Sequence, residues 1–134
     1  MSIYQDSVTL TKDNTTGWTD RVLLPRLGIE GELLLVQVRE DASANDATAA
    51  DIYILTADTA APTDAQVVYK ASAVALSGSA TASSLNDAVG DDTPAAYVLS
   101  GLTDRLYAAA NITATTGGGG ATTSLYLKVQ ARGC

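Results

Sequence analysis

The 134-residue sequence predicts a single all-β domain, and three observations lead to that fold class. Segments of alternating apolar and polar residues recur roughly every 8–12 residues, the spacing of a β-sandwich or β-barrel. No segment sustains the 3.6-residue apolar period of an amphipathic helix. The acidic residues are mostly Asp, which favours turns, and only three are Glu. We therefore expect one β-domain over residues 1–134.

In the first third of the chain, strands are predicted from side-chain alternation. Residues 4–11 alternate as a half-buried strand does, although Asp6 interrupts the apolar face. A polar turn over residues 12–17 follows, and residues 18–24 then lead to Pro25, which is tolerated at an edge or at a strand end. Residues 31–39 are the strongest apolar run and predict a central strand.

The middle of the chain gives weaker signals. Residues 41–51 contain no large apolar side chain and predict a loop, in which the Ala content makes a helical turn possible. Short strands are predicted over residues 52–56 and 67–71. Residues 72–92 are small and polar and predict either weak strands or a loop, whereas residues 95–100 predict another strand.

The last two predicted strands show the clearest alternation. They cover residues 105–113 and 122–131 and are joined by residues 115–121. The connector contains four consecutive glycines, so the pattern predicts an antiparallel hairpin with a flexible tip that becomes ordered against a partner. The glycines are Gly117, Gly118, Gly119 and Gly120.

The parity of the alternation also predicts the core. With no Phe and many Ala residues, that core is light in apolar area, and we expect the domain to gain stability from neighbouring subunits. The predicted core residues lie on the apolar parity of three strands: Leu34, Val36, Val38, Leu106, Leu125, Leu127 and Val129.

The composition excludes several kinds of catalytic and metal site. The chain has no His, so neither a Ser-His-Asp nor a Cys-His arrangement can form. Its single Cys, Cys134, cannot build a Cys-cluster zinc site or a disulfide within the chain, although it can link two chains. We expect a protein that is not an enzyme and that uses no cofactor or metal.

The net charge of −7 disfavours nucleic acid and anionic membranes as partners. The N-terminus has no signal-peptide pattern. The longest run of aliphatic side chains larger than Ala, residues 33–36, is far shorter than the ~20 residues of a membrane-spanning helix. We expect the chain to be made in a host cytoplasm and to act without a membrane.

Two loop patterns resemble ligand-binding motifs without completing them. The four glycines are not followed by the Gly-Lys-Ser/Thr ending of a phosphate-binding loop. Residues 41–46 resemble the start of a calcium-binding loop, but Asp46 and Ile52 occupy the sixth and twelfth positions, where that loop needs Gly and Glu. Three acids near Gly90 can in principle bind calcium, although solvated turn acids are the favoured interpretation: Asp87, Asp91 and Asp92.

The aromatic residues give the main candidate for a binding surface. Tyr107 and Tyr126 lie on the polar faces of the last two predicted strands, and Trp18 is the only Trp. We favour a protein interface over a sugar-binding platform, because Tyr is enriched in protein contacts. The candidate interface therefore consists of Trp18, Tyr107, Tyr126 and the four glycines.

In overall character, the chain resembles the small capsid cement (decoration) proteins of tailed bacteriophages. It is short, acidic, rich in Ala, Thr, Asp and Gly, and built from many short strands. Its closing segment, with Leu106-Tyr107-Ala108, the four glycines and residues 125–130, is similar in style to their last hairpin. The resemblance implies an antiparallel β-sandwich, often jelly-roll-like, that trimerises on the outside of a capsid, and it carries no catalytic residues.

The expected function follows from this resemblance and from the composition. We expect a virion structural protein on the capsid surface, a homotrimer that bridges major capsid protein subunits. The alternative from another class is a carbohydrate-binding β-sandwich module of a phage fibre or of a polysaccharide-active enzyme. An enzyme ranks third, because no constellation of residues indicates one.

Overall fold

The computed structural model of the chain describes residues 2–13, 15–40, 47–56, 67–76, 85–86, 96–99, 105–115 and 122–133. Those residues form ten strands and no helix, so the predicted all-β fold class is confirmed. The strands are β1 (Ile3–Asp13), β2 (Gly17–Trp18), β3 (Val22–Leu24), β4 (Glu30–Glu40), β5 (Ala47–Leu55), β6 (Val67–Ala75), β7 (Leu85–Asn86), β8 (Ala96–Val98), β9 (Leu106–Thr115) and β10 (Thr122–Gly133).

The strands form the two antiparallel sheets of a β-sandwich. The order in the first sheet is β1-β10-β4-β7, and β8 also pairs with β4. The order in the second sheet is β2-β9-β5-β6, and β3 also pairs with β9. A single core cluster lies between them, with Leu10 and Val129 from the first sheet and Ile52 and Leu106 from the second.

Six of the seven predicted core residues are buried, because the alternation in β9 and β10 and at the C-terminal end of β4 was assigned to the correct face. In β10 the inward residues alternate strictly with half-buried outward ones. The confirmed core residues are each at most 1% exposed: Val36, Val38, Leu106, Leu125, Leu127 and Val129.

The prediction for Leu34 is wrong, because a β-bulge changes which parity of β4 faces inward. Leu35 pairs with Gln130, but Leu33 pairs with the adjacent residue, Ala131. Leu34 is therefore the additional residue of the bulge and is half-buried, whereas Leu33 is 1% exposed. A bulge of this kind places two residues opposite one and exchanges the faces beyond it.

The predicted hairpin between residues 105–113 and 122–131 is also wrong. Strand β9 pairs with β5, β2 and β3 in the second sheet, whereas β10 pairs with β1 and β4 in the first. Alternation identifies the buried face of a strand but not its neighbour, and both strands bury their apolar faces from opposite sides of the same core. The four glycines of the connector lie outside the described residues.

Three other predicted elements differ in extent. Residues 47–51 belong to β5 rather than to a loop, and the small side chains of Ala47 and Ala50 are fully buried. Strand β6 continues to Ala75. Residues 18–24 contain β2 and β3 rather than one strand. Thr19, which lies between them, forms two hydrogen bonds with the backbone of Ala110. The Thr19 amide donates to the Ala110 carbonyl at 2.8 Å, and the Ala110 amide donates to Thr19 Oγ1 at 3.0 Å.

Asp6, which interrupts the apolar face of β1, holds the turn before β4 in place. Its side chain is 5% exposed and lies on the core-facing side of the strand. Its Oδ2 accepts hydrogen bonds from the backbone amides of Arg26 at 2.9 Å and Leu27 at 3.2 Å. A buried carboxylate needs such hydrogen-bond donors. In turn, it provides an acceptor for two backbone amides that lie outside the strands.

Candidate functional site

A second apolar layer covers the outward face of the second sheet. Its buried members are Tyr53, Leu55 and Ala109, and the half-buried side chains of Trp18, Val67 and Tyr107 pack against them. We call these six residues the aromatic patch. They lie on the strand parity opposite to the main core, so the second sheet is also apolar over part of its outward face.

The strand register explains how the patch is assembled. Tyr53 of β5 lies opposite Ala109 of β9, and Leu55 lies opposite Tyr107. Because Ala109 has only a methyl group, the larger side chains around it can close over the centre of the patch. The rings of Trp18 and Tyr53 are in contact at a centroid distance of 4.8 Å and a tilt of 43°. Only 8% of Tyr53 remains exposed.

Two cations lie against these rings. The guanidinium carbon of Arg21 is 5.0 Å from the centroid of Trp18, and the Nζ of Lys70 is 5.4 Å from the centroid of Tyr53. Burial lowers the pKa of Arg21 from its usual value, although a guanidinium stays protonated at neutral pH. The Nε and Nη2 atoms of Arg21 are buried without a hydrogen-bond partner. The electrostatic attraction to the Trp18 ring offsets part of that desolvation.

The edge of the patch reaches solvent at Leu23. This side chain lies opposite Tyr107 in the pairing of β3 with β9 and is 37% exposed. An apolar residue there extends the patch beyond its aromatic centre. The arrangement combines Trp, Tyr and Arg around a desolvated centre, which is the composition of energetically dominant residues in protein interfaces.

The outward face of the first sheet is different and carries a polar groove of about 330 Å³. Two cross-strand rows form it: Thr9, Tyr126 and Arg39 in one, and Ser7, Lys128 and Gln37 in the next. The guanidinium carbon of Arg39 lies 4.6 Å from the centroid of Tyr126. Val8 and Leu127 complete the lining. Both charged side chains of the groove are basic.

The structure thus separates the predicted interface residues. Trp18 and Tyr107 belong to the same aromatic patch, whereas Tyr126 lies on the opposite sheet in the polar groove. The other predicted site residues lie outside the described residues: Gly117, Gly118, Gly119, Gly120, Asp87, Asp91, Asp92 and Cys134.

The sequence did not identify Tyr53 as a site residue. It lies within Ile52, Tyr53, Ile54 and Leu55, where every side chain is buried and no alternation shows which parity faces outward. Ala109 lies opposite Tyr53 and leaves room for its ring, but this depends on strand pairing and is not visible in the sequence.

Within the described ranges, no three His, Cys, Asp or Glu side chains come together as a metal site would require. The same part of the chain contains no helix of the length and apolar character needed to cross a bilayer.

Comparisons of the chain with protein-family models, with curated proteins and with solved structures found no match. We therefore infer the function from the residues and their geometry.

Proposed function

We propose that this chain is a non-enzymatic virion structural protein, a capsid cement protein. In this proposal it binds the outer surface of a phage head as a homotrimer and bridges major capsid protein subunits. The aromatic patch is the observation that carries the proposal. A sandwich needs one apolar face per sheet, so the additional layer around Ala109 is not required to form the core.

The chemistry of the patch favours a protein partner over a sugar. A sugar platform offers open ring faces, but Arg21 lies over Trp18 and Lys70 lies over Tyr53. Tyr53 is also almost fully buried before any ligand arrives. Half-buried Trp18 and Tyr107, with the exposed edge at Leu23, instead resemble the anchor residues and rim of an interface.

The strand order supports a jelly-roll architecture for the same proposal. Counted as single interrupted strands, β2 with β3 and β7 with β8 reduce the ten strands of the described residues to eight. The first sheet then contains the first, eighth, third and sixth strands, and the second sheet contains the second, seventh, fourth and fifth. Eight strands in two sheets with crossing connections are compatible with the two Greek keys of a jelly roll.

The composition of the chain fits assembly on a capsid. A protein without His has few means of acid–base catalysis near neutral pH. Many of the buried core residues are Ala, including Ala47, Ala50, Ala108 and Ala110, so the core is thin and contacts with neighbouring subunits add stability. The charge of −7 keeps the free protein soluble before assembly.

Co-sedimentation with expanded capsids of the encoding phage tests the proposal. The wild-type protein should pellet with the capsids at micromolar concentration, and the binding should resist added salt better than a phosphate-driven contact does. Leu23→Asp places a charge at the exposed edge of the patch and should weaken binding about tenfold or more. Ile3→Asp is the matched control, because Ile3 is 66% exposed on the first sheet.

Two outcomes contradict the proposal. If the protein stays in the supernatant but is retained on a polysaccharide column, the carbohydrate-binding module is the better assignment. If Leu23→Asp and Ile3→Asp bind equally well, the patch is not the capsid-facing surface. The mass of the isolated protein by size-exclusion chromatography with light scattering tests the trimer separately.

A further inference from the structure

Arg21, beside the aromatic patch, has no counter-charge among the described residues. Its Nε and Nη2 atoms are buried without a hydrogen-bond partner, and its Nη1 atom forms no hydrogen bond there either but keeps some contact with solvent. Asp20 precedes it in the chain, yet no carboxylate of the described residues forms an ion pair with Arg21. Burial alone lowers the pKa of Arg21, whereas a carboxylate beside it would raise that pKa.

The acidic side chain that the strand register places on this face is already engaged elsewhere. Asp51 lies in the same cross-strand row as Trp18, with Asn111 between them, so it is two strand spacings, about 10 Å, from Trp18. Its Oδ1 accepts a hydrogen bond from the amide of Ala73 at 2.8 Å. The guanidinium of Arg21 therefore rests on the ring of Trp18, 5.0 Å from its centroid, without an anion.

This arrangement is unfavourable for the free domain. A desolvated guanidinium without an acceptor destabilises the fold, and attraction to a ring offsets only part of that cost. Groups that destabilise the free protein are typical of binding sites, where a partner completes the missing interaction. Arg21 therefore marks the position at which the aromatic patch requires a group from another molecule.

A protein that binds the aromatic patch also covers the remaining solvent contact of Arg21. Leu23, the exposed edge of the patch, is two residues away, or about 6.6 Å along an extended chain. Contact with Leu23 thus removes water from Nη1, which is unfavourable unless the partner supplies an acceptor. We propose that the capsid subunit places an Asp or Glu carboxylate against Arg21, next to an apolar side chain that contacts Leu23, an inference that rests on the proposed function.

A single carboxylate suits this position better than a neutral acceptor or a broad acidic surface. Hydrogen bonds between a guanidinium and a carboxylate are roughly twice as strong as neutral ones. The net charge of −7 repels a partner surface that is acidic throughout, so the attraction is confined to the cations at the patch. One ion pair beside an apolar contact also fixes the orientation of the domain on its partner.

Co-sedimentation of Arg21→Gln with expanded capsids tests the ion pair. This variant should bind about tenfold or more weakly than the wild-type protein, because it removes one charge of a desolvated pair. Arg39→Gln is the matched control, since Arg39 also lies over a ring, 4.6 Å from the centroid of Tyr126, but on the first sheet. It should bind like the wild-type protein. Urea denaturation of the free proteins excludes a folding defect, and Arg21→Gln should unfold at a urea concentration similar to that of the wild type.

Carbodiimide cross-linking of the bound Arg21→Lys variant identifies the partner carboxylate. The reagent activates a carboxylate, and a lysine amine in contact with it then forms an amide bond with loss of the activating group. Mass spectrometry should find residue 21 of this variant joined to an Asp or Glu of the major capsid protein. Lys128 lies on the opposite face and should form no such cross-link in the same sample.

The inference requires both the weakened binding and the cross-link, and the absence of either overturns it. If wild-type protein pellets and Leu23→Asp binds weakly while Arg21→Gln binds normally, the carboxylate is wrong and the capsid proposal stands. If wild-type protein stays in the supernatant, the capsid proposal fails and this inference fails with it. A cross-link between two copies of this chain would assign the carboxylate to a neighbouring subunit and likewise overturn the inference.

Discussion

The two outer faces of this sandwich are built from the same kind of strand but carry opposite chemistry. In β10 of the first sheet, buried residues such as Leu127 alternate with half-buried polar ones such as Lys128. In β9 of the second sheet, Ala108, Ala109 and Ala110 are all fully buried, so the outward residue is covered as well. The second sheet therefore has an apolar patch on its outward face in addition to its core face.

This difference distinguishes the residues that stabilise the domain from the surfaces that can contact other molecules. The common core needs only the inward parity of each strand. The outward layer around Tyr53 and Ala109 is additional, whereas the outward row of Tyr126 and Arg39 forms a polar groove. The proposed protein interface therefore corresponds to the face that carries the aromatic patch.

The largest expected effect concerns the shared core. Leu127→Ala should lower the free energy of unfolding by ~2–5 kcal/mol, because Leu127 is 1% exposed and its loss leaves a cavity. Lys128→Ala, one residue along and facing outward, should change it by less than ~0.5 kcal/mol. Urea denaturation measures both, and equal effects would show that the inward parity of β10 is wrong.

The second prediction tests whether the outward face of β9 is packed. Ala109→Leu should destabilise the protein by ~1–3 kcal/mol, since the larger side chain must displace the rings of Trp18 and Tyr53. Lys128→Leu adds an apolar side chain at an outward position of β10 and should be close to neutral. If the two variants unfold at the same urea concentration, the aromatic patch is not a packed layer.

The third prediction concerns the polar residue on the core face of β1. Asp6→Ala should cost ~1–3 kcal/mol, because the amides of Arg26 and Leu27 lose their acceptor. Asp6→Asn keeps a carbonyl oxygen and should cost less. Thermal unfolding followed by circular dichroism distinguishes the two, and a stable Asp6→Ala variant would contradict the role given to this carboxylate.

The smallest expected effect is the coupling between the two rings of the patch. A double-mutant cycle with Trp18→Ala and Tyr53→Ala should give a coupling free energy of ~0.5–1.5 kcal/mol, as expected for a tilted aromatic pair at 4.8 Å. The corresponding cycle between Trp18 and Tyr126, on opposite sheets, should give a value near zero. Coupling of equal size in both cycles would indicate a global effect instead of a contact.

Side-chain alternation predicted a large part of the fold. The residues of β1, β4, β9 and β10 were recognised as strands, and six of the seven predicted core residues are buried. The errors have physical causes. The bulge at Leu34 depends on the register against β10, and the missed half of β5 contains small residues whose burial leaves no hydrophobic signal.

The candidate site was harder to predict from the sequence than the core, because the residues that share a surface depend on which strands are neighbours. Trp18 and Tyr107 were recognised, and they do share a surface. Tyr126 was grouped with them because β9 and β10 were expected to pair, and the separation of those strands into two sheets moves it to the opposite face. Tyr53 was missed because its strand is apolar on both parities.

The central proposal is that the aromatic patch, and not the opposite face, contacts the capsid, and hydroxyl-radical footprinting on capsids tests it most directly. Oxidation of Trp18 and Tyr107 should fall when the protein is bound to expanded capsids, whereas oxidation of Tyr126 should stay at its level in the free protein. Protection of Tyr126 without protection of Trp18 and Tyr107 would contradict the claim, because the capsid would then contact the groove face and not the aromatic patch.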